Sequence, residues 1–251
     1  MNERPIDAPS EMMRGLRWMG AATAIMRLLD LAGTFVVLKF LTRGEVGVAT
    51  VSWSIAVVLE AFNGLGVAVV VIRRPDLTHR DLSGLYWMCT LVGVVAVAFI
   101  AMVSPWLAGF YGDTRLPLMM LVSASKLVFV GAALVPLQML TRDLKFREAG
   151  AVQTLATLGE AVTKVALVTT GFGAWALVIA NATRGLTLLL ALWWLAPFRP
   201  ERTLALRSTL RSIRYGLPLA FSSILYNAYR NADFLLIGRV LHFVGQALGG
   251  Q

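Results

Sequence analysis

The sequence predicts an all-α, polytopic membrane protein with about seven transmembrane helices. Three features carry that prediction. Of 251 residues, 57% are hydrophobic and only 15% charged, whereas soluble domains are roughly 45–50% apolar and about 25% charged. The mean hydropathy is +0.71. Apolar stretches also recur at about 20 residues, the length that crosses a bilayer as a helix, with short polar punctuation between them.

Taken in order, Met1 to Arg17 holds six charged residues. The apolar run that follows is too long for a signal-peptide core and lacks a small-residue cleavage site. Residues 1–15 are therefore read as a cytoplasmic tail and 16–41 as a retained first span. Thr42-Arg43-Gly44-Glu45 separates it from a second span at 46–72, which stops at Arg73-Arg74-Pro75-Asp76. A third span, 82–109, ends at the polar turn from Tyr111 to Arg115, and a fourth, 116–140, at the run from Arg142 to Arg147. The fifth and sixth, 148–171 and 175–197, are divided by the turn from Thr170 to Ala174. Within 198–214, Leu206, Leu210, Ile213 and Leu217 recur at helical spacing beside Arg207, Arg211 and Arg214. That pattern describes a basic amphipathic linker on the inner leaflet. The seventh span is placed at 215–241. Trp18, Trp87, Trp106, Trp175, Trp193 and Trp194 fall near span ends, where amphipathic rings suit the headgroup level.

The net charge of +9 follows this division. One set of tails and loops holds 14 of the 23 Lys and Arg, and the opposite set holds only Arg43, Arg115 and Arg239. Positive charge gathers on the cytoplasmic side, which puts the N-terminus in the cytoplasm. Topology thus accounts for the charge, and nucleic acid is excluded as a partner. Cys89 has no second thiol to pair with, and His79 and His242 have no neighbours at metal-ligand spacing. No phosphate loop or nucleotide fingerprint is present. No metal or cofactor is expected.

Nine ionisable residues lie near the centres of the predicted spans: Arg27, Lys126, Lys164, Arg184 and Arg230 with Asp30, Glu60, Glu160 and Asp233. Lys39 is near a span end and can snorkel. An ionised group at the helix centre costs about 2.5–3.5 kcal/mol on insertion scales, so nine facing lipid would cost on the order of 25 kcal/mol. They must face one another or water. Arg27 and Asp30, Arg230 and Asp233, and Glu160 and Lys164 share helix faces at i,i+3 or i,i+4 spacing. Lys126, Arg184 and Glu60 need partners from other helices. Buried pairs that only fix helix packing are one reading. A polar chamber at the midplane, where secondary transporters hold substrate, is the other, favoured because packing alone requires no unpaired Lys126 and Arg184. An active site built on Glu60 or Asp233 is a third, which the short outward loops disfavour.

Several segments resemble a known family. They are Leu41-Thr42-Arg43-Gly44-Glu45-Val46-Gly47, with Arg43 where the family usually has proline; Gly64-Leu65-Gly66 before Ile72-Arg73-Arg74-Pro75-Asp76-Leu77-Thr78; Leu140-Thr141-Arg142-Asp143-Leu144-Lys145-Phe146; Gly171-Phe172-Gly173-Ala174-Trp175-Ala176-Leu177; and Arg230-Asn231-Ala232-Asp233 before Ile237-Gly238-Arg239. In order and spacing they resemble the polysaccharide-transporter branch of the multidrug/oligosaccharidyl-lipid/polysaccharide exporter superfamily, which includes O-antigen and exopolysaccharide flippases.

The resemblance implies two six-helix lobes around a cavity with alternating access. Residues 16–197 would form the N-terminal lobe, 198–214 the linker, and 215–251 the first helix of a truncated second lobe. The implied substrate is undecaprenyl-diphosphate-linked oligosaccharide, moved across the bacterial inner membrane. Arg27, Arg184 and Arg230 would contact the diphosphate, and Lys126 and Lys164 would add field. Asp30 and Asp233 would orient the arginines, and Glu60 or Glu160 would carry a coupling proton. Membrane lipids and other glycan-assembly proteins such as a polymerase are the expected partners. The competing readings are a membrane-embedded glycan-assembly enzyme, a drug/cation antiporter or lipid II flippase of the same superfamily, and a nonfunctional half-transporter fragment.

Overall fold

A computed structural model describes residues 8–63, 67–74, 76–111, 113–196 and 198–201. All regular structure among them is helical: α1 (Ala8–Phe40), α2 (Arg43–Asn63), α3 (Val67–Arg73), α4 (His79–Tyr111), α5 (Leu116–Arg142), α6 (Phe146–Thr169) and α7 (Ala174–Leu195). Among the described residues five helical stretches, within α1, α4, α5, α6 and α7, are long and apolar enough to cross a membrane. The protein is thus a multi-pass membrane protein, and the expected seven spans are met in part. The stretch 46–72 comprises two helices, α2 and α3. Half of the expected tail is helical, because α1 begins at Ala8. The seventh span and most of the 198–214 linker lie outside the described residues.

Helix α5 is the hub. It packs against α4 and α7 most extensively and also meets α2, α3 and α6, while α1 packs chiefly on α6. One apolar core joins Val67, Leu85, Cys89, Ala133, Val152 and Leu192 from α3 to α7. A second gathers Val37, Ala49, Met119, Val168 and Val178, and a third joins Ala56, Ile100, Met120 and Leu127. Outward-facing positions are apolar as well: Phe35, Met102, Trp106, Phe110 and Trp194 are exposed. Such surface would be a liability in water and is the ordinary lipid-facing surface of a membrane bundle.

Close backbone approach sets the α4–α5 contact. A Cβ at Gly93 would lie 2.6 Å from the carbonyl oxygen of Leu127, so no side chain fits there, as at small-residue interfaces between membrane helices. Pro105 interrupts α4 and cannot donate to the Ala101 carbonyl. The hydroxyl of Ser104 does so instead, at 3.2 Å.

The helix ends are built from local sequence. Thr42 caps α2: its N–H and hydroxyl both donate to Glu45 Oε2 at 2.9 Å, and its Oγ1 accepts the Glu45 N–H at 3.3 Å. Thr78 and Asp81 repeat this capping box at the start of α4. Arg43 falls at the first helical position, which proline often occupies because its N–H has no partner there. The α5 and α6 helices end alike. Lys145 N–H donates to Leu140 O and Leu144 N–H to Thr141 O; Phe172 N–H donates to Leu167 O and Gly171 N–H to Val168 O. These are two Schellman motifs. Gly171 supplies the left-handed residue of one at φ 83°, but Leu144 supplies the other at φ 58°.

The bundle has two distinct ends. At one, Glu45 lies against Gly173, joining the α1–α2 turn to the α6–α7 turn. Hydrogen bonds from Thr42 hold the Glu45 carboxyl below its ordinary pKa. At the other end, residues 198–201 strap onto α4. Phe198 packs on His79 and Tyr86, Trp87 Nε1 donates to Glu201 O at 2.9 Å, and Glu201 N–H donates to Ser83 Oγ at 3.0 Å. His79 and Arg80 face the Glu201 carboxylate at 3.3 and 3.8 Å. Trp18 of α1 stacks on Arg147 at the start of α6.

Three outcomes follow for the chain in detergent, each read by thermal unfolding. Gly93→Ala lowers stability by about 1–3 kcal/mol, the usual cost of overpacking. Leu144→Gly raises it by about 1 kcal/mol by removing left-handed strain from a side-chain-bearing residue. Thr42→Ala costs about 1 kcal/mol at neutral pH. Its difference from the parent shrinks as pH falls below the ordinary glutamate range, because a lowered native pKa gives stability above the unfolded value that disappears on protonation.

Candidate functional site

The mid-membrane charges divide into three groups. Glu160 on α6 anchors the first. Its Oε1 lies 3.0 Å from Lys164 Nζ one turn along the same helix, and its Oε2 accepts from Arg184 Nη1 of α7 at 3.1 Å. The side chains of Glu160 and Lys164 are 13% and 14% exposed, and that of Arg184 is 40% exposed. An acid placed four residues before a base is the favourable order along a helix. Lys164 lies over Gly33 of α1, where a Cβ would sit 3.5 Å from its Cδ.

A second pair joins α2 to α5 where Lys126 Nζ donates to Glu60 Oε2 at 3.0 Å. Lys126 also lies against Gly185 of α7, where a Cβ would come within 3.0 Å of its Cγ. The absence of a side chain at Gly185 gives the lysine its room.

The third group is on α1. Arg27 is exposed and Asp30 is half-buried. They share a helix face, yet no ion pair joins them among the described residues. Base before acid is the weaker order for a helical pair.

A cavity of about 390 Å³ opens between α1, α2, α6 and α7, and Asp30, Thr34, Thr50, Trp53, Glu160, Lys164 and Asn181 supply its polar and aromatic lining. Of the nine sequence-predicted residues, Asp30, Glu160 and Lys164 reach this cavity; Arg184 is tied to it through Glu160. Glu60 and Lys126 form their pair elsewhere, Arg27 does not line it, and Arg230 and Asp233 lie outside the described residues. Lys126 and Arg184 find the partners from other helices that the sequence required, in Glu60 and Glu160, so the argument for a chamber from unpaired cations does not hold.

Thr34, Thr50, Trp53 and Asn181 were not singled out from sequence. The available signal was register: Thr34 follows Asp30 by four residues, and Asn181 precedes Arg184 by three. The Thr34 hydroxyl donates to the Asp30 carbonyl at 2.8 Å, returning its polarity to the helix backbone.

The profile of a family described as "Polysaccharide biosynthesis protein" matches residues 36–249. This chain belongs to that family. The family match thus runs from within α1 through α7, including every charged residue above except Arg27 and Asp30. The chain is 24% identical over 233 residues to the lipopolysaccharide biosynthesis protein WzxC of Escherichia coli (strain K12), covering 90% of this chain and 46% of that protein. It is 23% identical over 148 residues to the teichuronic acid biosynthesis protein TuaB of Bacillus subtilis (strain 168), covering 59% of this chain and 31% of that protein. The chain therefore spans less than half the length of either relative. Its fold matches an outward-facing multidrug resistance MATE family transporter of the MOP superfamily, with TM-score 0.59, 17% identity, and coverage of 85% of this chain and 52% of that one.

The charged network makes an ordering prediction. Removing one partner of a buried ion pair leaves the other uncompensated. Glu160→Gln, which strands two cations, is expected to lower stability by about 3 kcal/mol. Glu60→Gln, in a more exposed pair, costs less. Combining Glu160→Gln with Lys164→Met recovers part of the loss; equal costs for the two glutamates in thermal melts would contradict the geometry.

Proposed function

We propose that the chain forms one lobe, residues 16–197, of a flippase for undecaprenyl-diphosphate-linked oligosaccharide in the bacterial inner membrane. The N-terminus is cytoplasmic. The observation that carries this reading is the hydrogen-bonding cavity among lipid-facing helices, in a member of a polysaccharide biosynthesis family. Membership of that family also disfavours the drug/cation antiporter reading.

The cavity suits a glycan. It mixes two carboxylates, one ammonium, hydroxyls, an amide and an indole. Sugar hydroxyls both donate and accept, and an aromatic face stacks on the apolar face of a sugar ring. Lys164 and Arg184 are assigned to the diphosphate end, with the planar fork of arginine matching phosphate oxygens; Arg27, exposed on α1, is the third described cation in this role. Lys126, held by Glu60 away from the cavity, contributes through its field. Of the two carboxylates expected to carry a coupling proton, Glu160 lines the cavity and Glu60 does not. Other glycan-assembly proteins are proposed as partners only by class.

Topology is supported by where the cations sit. Arg73, Arg74, Arg80, Arg142, Lys145, Arg147 and Arg199 belong to the end that carries the Glu201 strap, while Arg43 and Arg115 belong to the opposite end. In a Cys89→Ala background, cysteines replacing Thr78 and Asp143 should react only once the cytoplasmic face is opened. One replacing Asp113 should react from outside intact cells; the reverse pattern would overturn the orientation.

Substrate class is tested by binding of undecaprenyl diphosphate to the chain in nanodiscs, measured by native mass spectrometry. Lys164→Ala and Arg27→Ala should each weaken binding roughly tenfold or more, as for loss of one charge-assisted phosphate contact. No binding by the parent chain, or unchanged binding in both variants, would refute the assignment.

A further inference from the structure

A second cavity, of about 330 Å³, lies at the strap end of the bundle, between Tyr86 of α4, Trp193 of α7 and the strap residues Phe198, Arg199 and Pro200. It shares no lining residue with the cavity at Glu160. Its volume falls within the range of about 300–1,000 Å³ usual for small-molecule sites.

The walls follow from the local fold. Helix α7 ends at Leu195, and the chain crosses at once to α4, where Trp87 Nε1 donates to Glu201 O and Glu201 N–H donates to Ser83 Oγ. The Phe198 ring lies 5.3 Å from His79 and 6.0 Å from Tyr86, and Tyr86 meets Trp87 edge-on at 5.5 Å. These ring contacts hold Tyr86 and Phe198 in place as walls. Trp193, in contrast, is exposed, as is Trp194 beside it.

Charge at the cavity has one sign. Among the described residues Arg199 is the one charged side chain lining it, and it is exposed and makes no ion pair. The strap's own carboxylate, Glu201, faces His79 and Arg80 instead, at 3.3 and 3.8 Å. Tryptophan rings at span ends mark the headgroup level of a bilayer, and basic pockets between membrane helices at that level hold anionic headgroups.

We propose that this cavity holds the headgroup of an anionic phospholipid, with Arg199 on the phosphodiester and Trp193 against the glycerol and upper acyl chain. The guanidinium fork matches two phosphate oxygens. Four of the five lining residues are aromatic or proline. They offer little to a hydrated inorganic phosphate, whereas a lipid brings apolar surface to them along with its charge. A headgroup seated here bridges α7, the strap and α4. The assignment needs only that α4 and α7 cross the membrane, and depends neither on a transported substrate nor on which leaflet meets this end.

The full chain in detergent is titrated with phosphatidylglycerol or phosphatidylcholine and read by native mass spectrometry. The parent should bind its first phosphatidylglycerol about tenfold more tightly than phosphatidylcholine, and Arg199→Gln should bring the two within about twofold. Arg80→Gln removes an exposed cation from the same end and should leave the preference intact. Equal loss in both variants would mean diffuse attraction to a basic surface and would overturn the site, as would a parent chain with no preference. Two competitors separate the sources of phosphate. Millimolar inorganic phosphate should not displace phosphatidylglycerol, and undecaprenyl phosphate should displace it no better than phosphatidylglycerol itself. Displacement by inorganic phosphate, or tighter binding of undecaprenyl phosphate that Arg199→Gln abolishes, would overturn the phospholipid assignment. If Arg199→Gln shifts the thermal melt, the parent chain is irradiated with phosphatidylglycerol carrying a photoreactive group high on one acyl chain. Labelling of the peptide that contains Trp193 is expected, and labelling only elsewhere would refute the site.

Discussion

An ionised side chain in the hydrocarbon layer must find a counter-charge or water, and this requirement organises the bundle's interior. Glu160 binds α6 to α7 through Arg184, and Glu60 binds α2 to α5 through Lys126. Residues without bulk draw helices close as well: Gly159 of α6 receives Thr187 of α7, and Gly185 of α7 receives Lys126 of α5. Apolar packing supplies most of the contact area, but hydrocarbon side chains gain little from exchanging lipid for one another. Polar pairs and close backbone approach therefore have more influence on helix register here than they would in water.

Much of the fold was legible in the sequence. Apolar runs and their polar punctuation give α4, α5, α6 and α7 to within about three residues at each end, because hydrocarbon thickness sets helix length. The start of α1 was not legible, since a charged amphipathic extension of a helix and an unstructured tail have similar composition. The division of 46–72 into α2 and α3 was suggested only by Gly64 and Gly66. The left-handed Leu144 had no signal at all: the residue type predicts the opposite, and only the hydrogen bonds from Leu144 and Lys145 back into α5 reveal the motif.

For the candidate site, sequence identified which residues carry charge at mid-depth but not which of them meet. The i,i+4 pair of Glu160 and Lys164 was readable because spacing along one helix fixes geometry. The partners of Lys126 and Arg184 depend on how helices rotate against each other, which no local pattern specifies. The neutral members of the cavity, Thr50, Trp53 and Asn181, were obscured because such residues are common in membrane helices and draw attention only when several converge. The result is a chamber less cationic than the list of span charges implied, with its positive groups partly neutralised by carboxylates from adjacent helices.

The strap after α7 also has a mechanical meaning. Residues 198–201 are bound through backbone and side chains to the first turns of α4, not to the helix they leave. Tension arriving from later in the chain is thus delivered first to α4 and to its tightly seated neighbour α5, and reaches α7 through the α5 contact as well as along the backbone.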